Sequence, residues 1–429
     1  MNQISFLKPM VTRRSKQLTK LKILHTADFH LGVGVRGAGF NSLVIQKRDR
    51  DFIEQLWRIR KLAVENECDF LIIAGDVFHS LRPSGLLLNE FSRFIASLAE
   101  KDIYTIVVAG NHDQPRTTRT EAYIKALHEA RAPNFYYIKK PCKLVLKGSR
   151  SGRKVGFICL PYLPPTAGER AAYVNAIDAT LSRLVSSIGE CDYIVTVAHF
   201  YVEGAKIGPS ESYGPYIPLY DIAIPKHVFI NNRVSYTALG HIHYHQEVSS
   251  SVIYSGSIER INFGEEDEEK GVVLVEEAGG DLSSAFIKLP CRPLITLPRE
   301  KYGYAEEFFD LTGALNPTRK LIELLSRVKI PDGAILRLRV KLPYGRGIDR
   351  SEVSKYMKSI NVLHWFIEPQ RVRVKCIVSS GSFRDVREAF REYVEKVFVK
   401  RRVLSLSKDV VELIISEGLR IIDEVERGE

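Results

Sequence analysis

Five short apolar segments, each followed by a polar loop, restrict the folds that this chain of 429 residues can adopt. They are rich in β-branched residues and occupy residues 21–25, 70–74, 105–109, 193–198 and 234–239. Continuous apolar runs of this length predict strands that are buried on both faces. Apolar residues at helical spacing separate the first three segments, over residues 52–63 and 87–98. Alternating strands and helices predict an α/β fold around a parallel or mixed sheet.

Each predicted strand is followed by residues whose side chains can bind metal ions. The clusters are Asp28-Phe29-His30, Gly75-Asp76, Gly110-Asn111-His112-Asp113, His199 and Gly240-His241-Ile242-His243. Loops at the carboxyl ends of the strands form the ligand crevice of an open α/β sheet, so we expect the clusters to converge. A single histidine at a strand end is more often a satisfied structural residue. Six of the 11 histidines lie in or beside these loops, however, and this joint pattern favours a metal centre.

Carboxylate, imidazole and amide groups in these loops form a donor set suited to two divalent ions. Two such ions, about 3.5 to 4 Å apart, hold a phosphate and activate a water molecule. One carboxylate has to bridge both ions, and Asp76 is the natural bridge. The glycines before Asp76, Asn111 and His241 would allow tight turns that bring the ligands close to the ions.

Two neighbouring features are expected to be structural. His245 follows His243 at strand spacing, which favours a structural or surface residue. The acidic run at residues 265–269 is more typical of a solvated loop than of a metal site, because a run of like charges prefers water.

The five clusters, in this order, resemble the five motifs of the calcineurin-like metallophosphoesterases over residues 21–260. The resemblance implies two metal ions with a shared bridging carboxylate. One ion would be held by Asp28, His30, Asp76 and His243. The other would be held by Asp76, Asn111, His199 and His241. The resemblance also implies that His112 is catalytic, protonating the leaving oxygen or stabilising the transition state.

Three longer segments resemble one branch of that family, the meiotic recombination eleven nucleases and their bacterial SbcD relatives. They are HTADFHLG at residues 25–32, GDVFHS at 75–80, and YSGSIER at 254–260 leading to FGE at 263–265. The resemblance implies that His79 is a catalytic-site histidine near the metals. The alternative is that His79 only forms hydrogen bonds behind the ligands.

Changes in composition divide the chain into four predicted parts. They are a basic N-terminal arm at residues 1–20, a nuclease domain at 21–290, a small α+β cap domain at 291–380 and a helical tail at 381–429. Prolines at 290, 293 and 298 suggest the boundary before the cap. The predicted fold is therefore a metallophosphoesterase sandwich of mixed β-sheets flanked by helices, with a cap and a C-terminal helical pair.

The resemblance also implies a function and partners. The chain would be a manganese-dependent DNA nuclease that processes double-strand break ends as a 3′–5′ exonuclease and single-strand endonuclease. It would hold two Mn²⁺ ions, although the ligand types leave iron and zinc open. A homodimer would form through the helix near residues 86–99, the cap would orient DNA, and the tail would bind an SMC-like zinc-hook ATPase.

Two other functions fit parts of the pattern. The metal motifs alone do not define the substrate, so a phosphoesterase for nucleotides, small phosphoesters or phosphoproteins is the first alternative. A non-catalytic DNA-bridging scaffold is the second, and the complete set of ligand-type residues disfavours it. The net charge of +11 favours a polyanionic partner, but basic residues spread over exposed helices would give the same sum.

The sequence predicts a cytoplasmic, nucleoid-associated protein with no membrane partner. No apolar stretch approaches the roughly 20 residues of a membrane helix, and the N-terminal apolar run is interrupted at Lys8 and Pro9. The six cysteines form no C-x-x-C pair, which argues against a disulfide framework or a structural zinc site.

Overall fold

The computed structural model describes residues 19–33, 42–114, 122–165, 169–208, 222–343, 347–372, 385–399 and 407–427. The chain forms two compact units. The first comprises Met1–Ile295 with Gly333–Ile335, and the second comprises Thr296–Asp332 with Leu336–Glu429. The predicted basic arm lies outside the described residues except for its last two positions. The four domain limits stay predictions.

Two six-stranded sheets form the centre of the first unit. The first sheet contains β1 (Lys22–Thr26), β2 (Phe70–Ile73), β3 (Tyr104–Val108), β4 (Phe135–Ile138), β11 (Gly271–Ala278) and β12 (Asp281–Lys288). Their order is β12-β11-β1-β2-β3-β4. The strands β1 to β4 are parallel, whereas β11 runs antiparallel to both of its neighbours.

The second sheet repeats this mixed arrangement. It contains β5 (Cys142–Lys147), β6 (Lys154–Leu160), β7 (Tyr193–His199), β8 (Tyr236–Gly240), β9 (Gln246–Ser249) and β10 (Val252–Tyr254). The order is β5-β6-β7-β8-β10-β9, and only the pairings at the two edges are antiparallel. Apolar residues of both sheets, among them Ile72, Ile106, Val195 and Ala238, pack into one core. The prediction of an α/β sandwich with mixed sheets is confirmed.

The described residues of the first unit contain four α-helices. They are α1 (Ser42–Glu65), α2 (Gly85–Ala99), α3 (Ile124–Glu129) and α4 (Arg170–Ser187). The predicted apolar face of α1 is buried at Phe52, Leu56 and Ile59. The α2 helix begins after Ser84, whose side chain accepts a hydrogen bond from the amide of Leu87 and so caps the helix. None of the helices in the described parts of the chain has the length and hydrophobicity that a membrane span requires.

A third sheet has four strands, in which β15 pairs with each of the other three. The strands are β13 (Leu294–Leu297), β14 (Phe309–Asp310), β15 (Ile335–Pro343) and β16 (His364–Val372). Two helices accompany it in the sequence, α5 (Pro317–Ser326) and α6 (Arg350–Ser359). Strands and helices of this size agree with the predicted small α+β arrangement.

The tail contains the predicted helical pair. Its helices are α7 (Val386–Tyr393), which continues as a π-helix over Val394–Val399, and α8 (Lys408–Arg427). A β-carbon added at Gly418 would overlap the ring of Phe390, so this glycine lets α7 and α8 approach closely. Arg387 and Asp423 form an ion pair at 2.7 Å between the same helices.

His25 joins the two sheets of the first unit. Its Nδ1 lies 2.8 Å from the hydroxyl oxygen of Tyr236, and its Nε2 lies 3.2 Å from the carbonyl oxygen of Leu239. The carbonyl can only accept, so Nε2 donates and Nδ1 accepts from the tyrosine hydroxyl. Burial lowers the pKa of His25 to about 3, so the ring is neutral at physiological pH.

This histidine makes the stability of the chain sensitive to acid. Below pH 6.5 the unfolded chain binds a proton at His25, whereas the folded chain does so only near pH 3, so its contribution to stability is lost as the pH falls through this window. Between pH 7 and pH 5 the loss amounts to about 2 kcal/mol. We expect His25→Gln to reduce the pH dependence of the free energy of unfolding by about this amount, measured by urea denaturation in EDTA.

The exposed His227→Gln variant controls for the removal of a histidine from the same unit. An identical pH dependence for wild type and His25→Gln would contradict the role assigned to His25.

Candidate metal centre

The five predicted loops meet at the carboxyl ends of β1, β2, β3, β7 and β8. Among the described residues, three groups of side chains place one potential ligand atom each within 4.8 Å of the others. The groups are Asp28 with His30 and His243, Asp28 with Asp76 and His199, and His30 with His79 and His112. The two remaining predicted residues adjoin them, because His241 and His199 both contact the amide oxygen of Asn111. The structure thus brings all nine predicted site residues together, while their roles stay predictions.

Several of these residues have an unusual backbone conformation. Asp28, His30, Asp76 and His241 have φ angles of 51°, 43°, 52° and 97°, in the left-handed region that residues with side chains rarely adopt. Each such residue costs on the order of 1–3 kcal/mol, and strain of this kind is concentrated at functional sites. Backbone hydrogen bonds hold the first two loops together, from the amide of His30 to the carbonyl of Asp76 at 2.9 Å among others.

Three glycines make room for the cluster, as expected from the sequence. A β-carbon at Gly75 would overlap the ring of His199, and one at Gly110 would overlap the carboxylate of Asp76. At Gly240 it would meet the carbonyl oxygen of Ala74. Any side chain at these positions would push the loops apart and enlarge the site.

The donor atoms around His199 fit a cation. Nδ1 of His199 donates to the carbonyl of Ala74 at 2.7 Å, so the lone pair of the neutral ring is on Nε2. This nitrogen lies 2.9 Å from Oδ1 of Asn111 and 3.6 Å from Oδ2 of Asp76. Converging lone pairs repel one another, and a divalent ion between them would replace repulsion with coordination.

His30 and His243 form a similar arrangement on the other side of Asp76. Nδ1 of His243 lies 3.0 Å from the carboxylate of Glu265, so it donates there and leaves the lone pair on Nε2. That Nε2 faces Nε2 of His30 at 3.1 Å, and the His30 nitrogen is 3.5 Å from Oδ2 of Asp76. Burial lowers the pKa of His30 well below its usual value, which keeps this ring neutral and able to coordinate a metal.

The carboxylates of the site also favour a bound cation. Asp28 is fully buried, and burial raises its pKa to about 7, an effect to which the nearby Asp76 carboxylate adds. The carboxylates of Asp28 and Asp76 have oxygen atoms within 4.8 Å of each other. Two buried carboxylates this close do not both ionise easily unless a positive charge lies between them. The residues present therefore suit divalent metal ions, and the carboxylate of Asp76 lies near the rings of both His30 and His199.

His112 and His79 lie beside the His30 side of the cluster. The rings of His79 and His112 stack with centroids 4.9 Å apart, and the His30 ring is 4.7 Å from that of His112. Nδ1 of His112 donates to the carbonyl of His79 at 2.9 Å. Because this bond fixes the ring, Nε2 is the nitrogen through which His112 would exchange a proton with a substrate.

The expectation that residues 265–269 form a solvated loop is wrong for two of its acids. Glu265 is fully buried and Glu268 is 8% exposed, because Lys270 is buried with them and forms ion pairs with both, at 2.9 and 2.7 Å. The sequence signal was the lysine that directly follows the acidic run. His245 is structural as expected, since its ring stacks on Phe286 with centroids 4.0 Å apart.

Two further residues lie at the site: Asp113, which the sequence analysis placed in the third cluster without a role, and Tyr162, which it did not single out. The buried carboxylate of Asp113 accepts hydrogen bonds from the amides of Val77 and Gly110, which ties two ligand loops together. The ring of Tyr162 stacks near that of His241, at 6.1 Å between centroids and 25° between planes. Asp113 belongs to a predicted cluster, whereas nothing in the local sequence distinguishes Tyr162.

Comparisons with known proteins give one family match and several more distant similarities. The family model of the calcineurin-like phosphoesterases matches residues 21–245. The chain is 27% identical over 285 residues to the SbcD subunit of nuclease SbcCD from Staphylococcus epidermidis, covering 64% of this chain and 70% of that protein. A dimetal phosphatase from Danio rerio is 12% identical, and the match covers 62% of this chain and 98% of that one with a TM-score of 0.36. Nuclease MPE of Pseudomonas putida is 16% identical, and the match covers 42% of this chain and 64% of that one with a TM-score of 0.20.

The position of Asp76 between two donor sets gives a direct test of the metal centre. We expect Asp76→Ala to remove most of the bound divalent metal from the chain, because one carboxylate serves both proposed ions. Metal per chain after dialysis can be measured by inductively coupled plasma mass spectrometry. Asp178→Ala, which removes an exposed carboxylate on α4, should bind metal like the wild type. Unchanged occupancy in Asp76→Ala would rule out the bridging role.

Proposed function

We propose that this chain, which belongs to the calcineurin-like phosphoesterase family, is a metal-dependent DNA nuclease. The observation that supports this most is the buried cluster of carboxylate, imidazole and amide donors with His112 beside it. The similarity to a component of nuclease SbcCD favours a nucleic acid as the substrate. The net charge of +11 agrees with a polyanionic substrate.

The side chains of the cluster divide into two proposed ligand sets. Asp28, His30, Asp76 and His243 would hold one ion, and Asp76, Asn111, His199 and His241 would hold the other. Two bound divalent ions, which we propose to be manganese, would neutralise charge on the phosphate and lower the pKa of an attacking water molecule. The strained loops and the hydrogen bonds behind the rings keep these side chains in place before substrate arrives.

His112 is the proposed proton donor. Burial lowers its pKa, whereas its hydrogen bond to the His79 carbonyl and the nearby Asp113 carboxylate oppose that shift. A phosphodiester anion beside the ring would favour the protonated form. The protonated ring could then transfer the proton on Nε2 to the leaving oxygen. His79 would support this step through its carbonyl and by stacking on the ring of His112.

Comparison of substrates tests this function. With manganese, we expect release of label from the 3′ end of duplex DNA and cleavage of hairpin and single-stranded DNA. We expect little hydrolysis of nucleotide monophosphates. His112→Ala should keep its bound metal but lose about 100-fold to 10,000-fold in rate, which is the usual contribution of a general acid.

The same variant controls for contaminating nucleases. Cleavage that persists in purified His112→Ala at the wild-type rate would contradict the proposed role of His112. Faster hydrolysis of nucleotide monophosphates than of DNA would instead support the alternative, a phosphoesterase for nucleotides or other small phosphoesters.

We further propose that the chain acts as a homodimer in the processing of DNA double-strand breaks in the cytoplasm, at the nucleoid. Exposed apolar side chains at the starts of α1 and α2 offer a dimer surface, with Leu43 58%, Ile45 41% and Leu86 56% exposed. Apolar residues this exposed favour burial against another protein surface. The cap domain is proposed to orient DNA.

The tail is proposed to bind an SMC-like zinc-hook ATPase, by analogy with the SbcCD assembly named for the relative. One side of α8 packs on α7, where Phe390 meets Gly418. A second stripe of α8 is apolar and exposed. It comprises Val410, Leu413, Ile421 and Val425. An amphipathic helix with such a stripe suits docking into an apolar groove.

Substitutions in this stripe test the proposed contact with the ATPase without deleting the tail. Leu413→Glu combined with Ile421→Glu should abolish co-purification with the ATPase, because a charge cannot enter an apolar groove without a partner. Manganese-dependent cleavage of single-stranded DNA by the isolated chain should stay nearly unchanged. Ser416→Glu, an exposed position of α8 outside the stripe, is the matched control. Unaltered ATPase affinity in the double variant would place the contact elsewhere on the chain.

A further inference from the structure

The carboxylate of Glu265 makes three polar contacts, and the residue is fully buried. Its Oε1 accepts a hydrogen bond from Nδ1 of His243 at 3.0 Å. Its Oε2 accepts one from the amide of Ile261 at 2.9 Å and forms an ion pair with Lys270 at 2.9 Å. Both carboxylate oxygens are therefore used, and one of them is directed at a proposed metal ligand.

Lys270 completes the arrangement from the opposite side. Its ammonium group contacts Glu268 at 2.7 Å and the carbonyl oxygen of His243 at 2.9 Å. Glu265 thus holds the side chain of His243, and Lys270 holds the backbone of the same residue. Lys270 directly precedes β11 of the first sheet, whereas His243 follows β8 of the second, so these contacts connect the two sheets behind the ligand.

The charges of this group also matter for a cation. Lys270 lies within ion-pair distance of both Glu265 and Glu268, at 2.9 and 2.7 Å, and this geometry favours the ionised form of all three side chains. Two carboxylates and one ammonium group leave one net negative charge. A buried negative charge on the far side of an imidazole makes its other nitrogen a better metal ligand.

We propose that Glu265 and Lys270 form a positioning pair that fixes the ring of His243 and sets the affinity of the metal centre for one of its two ions. The proposal rests on the metal centre of the proposed function, but it does not depend on DNA being the substrate. Neither residue touches the substrate or the reacting atoms in this proposal, since both act through His243.

Glu265→Gln in the full chain tests the pair, with Mn²⁺ alone as the probe. An amide at this position cannot accept from His243, Ile261 and Lys270 together, because one of its two polar atoms only donates. We expect the affinity for one manganese ion to fall 10-fold to 100-fold, measured by isothermal titration calorimetry, with the second ion less affected. The manganese concentration that gives half-maximal activity should rise in parallel, with the rate at saturating metal closer to that of the wild type.

Two further variants separate positioning from general stability. Glu269→Gln removes an exposed acid of the same loop, 61% exposed, and should leave manganese affinity unchanged. Glu265→Asp keeps the charge and shortens the side chain by one methylene group, so it should recover part of the affinity that Glu265→Gln loses. It also provides the measurement should Glu265→Gln fail to fold.

The outcomes also separate this proposal from the proposed function. If Glu265→Gln and Glu265→Asp lower the free energy of unfolding in EDTA while manganese affinity equals that of the wild type, the pair is structural and the proposal fails. If the wild type binds neither manganese, iron nor zinc, the metal centre itself is refuted. If the wild type binds two ions but does not cleave DNA, the proposed substrate is wrong and the positioning pair is still tested by affinity.

Discussion

The site depends on holding the carboxylates of Asp28 and Asp76 close together inside the protein, out of reach of water. Burial deprives the carboxylate of Asp28 of hydration, and the nearby charge of Asp76 repels its negative charge. Both effects raise the pKa of Asp28, to about 7. The neighbouring imidazoles contribute lone pairs and no compensating charge while they are neutral. A divalent cation satisfies both groups at once, so the chemistry of the donor set and the energetics of burial favour the same occupant.

The sandwich supplies the rigidity that this arrangement requires. Left-handed backbone conformations at four site residues and glycines in contact with ligand side chains all cost stability, and they persist only where the surroundings enforce them. Parallel strands buried on both faces provide that enforcement, since their ends cannot shift without opening the core. The bond from Tyr236 to His25 and the contacts of Lys270 link the two sheets near the loops and restrict the same motion.

The sequence was most informative where function imposes a residue type at a fixed place relative to a strand. The convergence of Asp28, Asp76 and His241 was predicted from their position directly after predicted strands, and the glycines beside them were predicted to allow tight turns. Glu265 was predicted to lie in a solvated loop, because runs of like charge are usually exposed. Only the fold shows that it contacts Lys270 and His243. Tyr162 follows β6, after which no ligand was predicted, and its contact with His241 has no local pattern in the sequence. Helical spacing predicted α8, but the face that meets α7 became clear only from the packing of Phe390 on Gly418.

The antiparallel pairing of β1 with β11 has a consequence for the biosynthesis of the chain. Lys22 pairs with Glu276, so the outer edge of β1 is covered only after a strand about 250 residues later has been synthesised. Contacts between such distant segments form late in folding, because the entropy of closing a long loop must be overcome first. The nascent chain on the ribosome therefore carries Asp28 and Asp76 in water, apart from the histidines at 241 and 243. The proposed metal centre therefore cannot assemble until the strands that carry all of its residues have emerged.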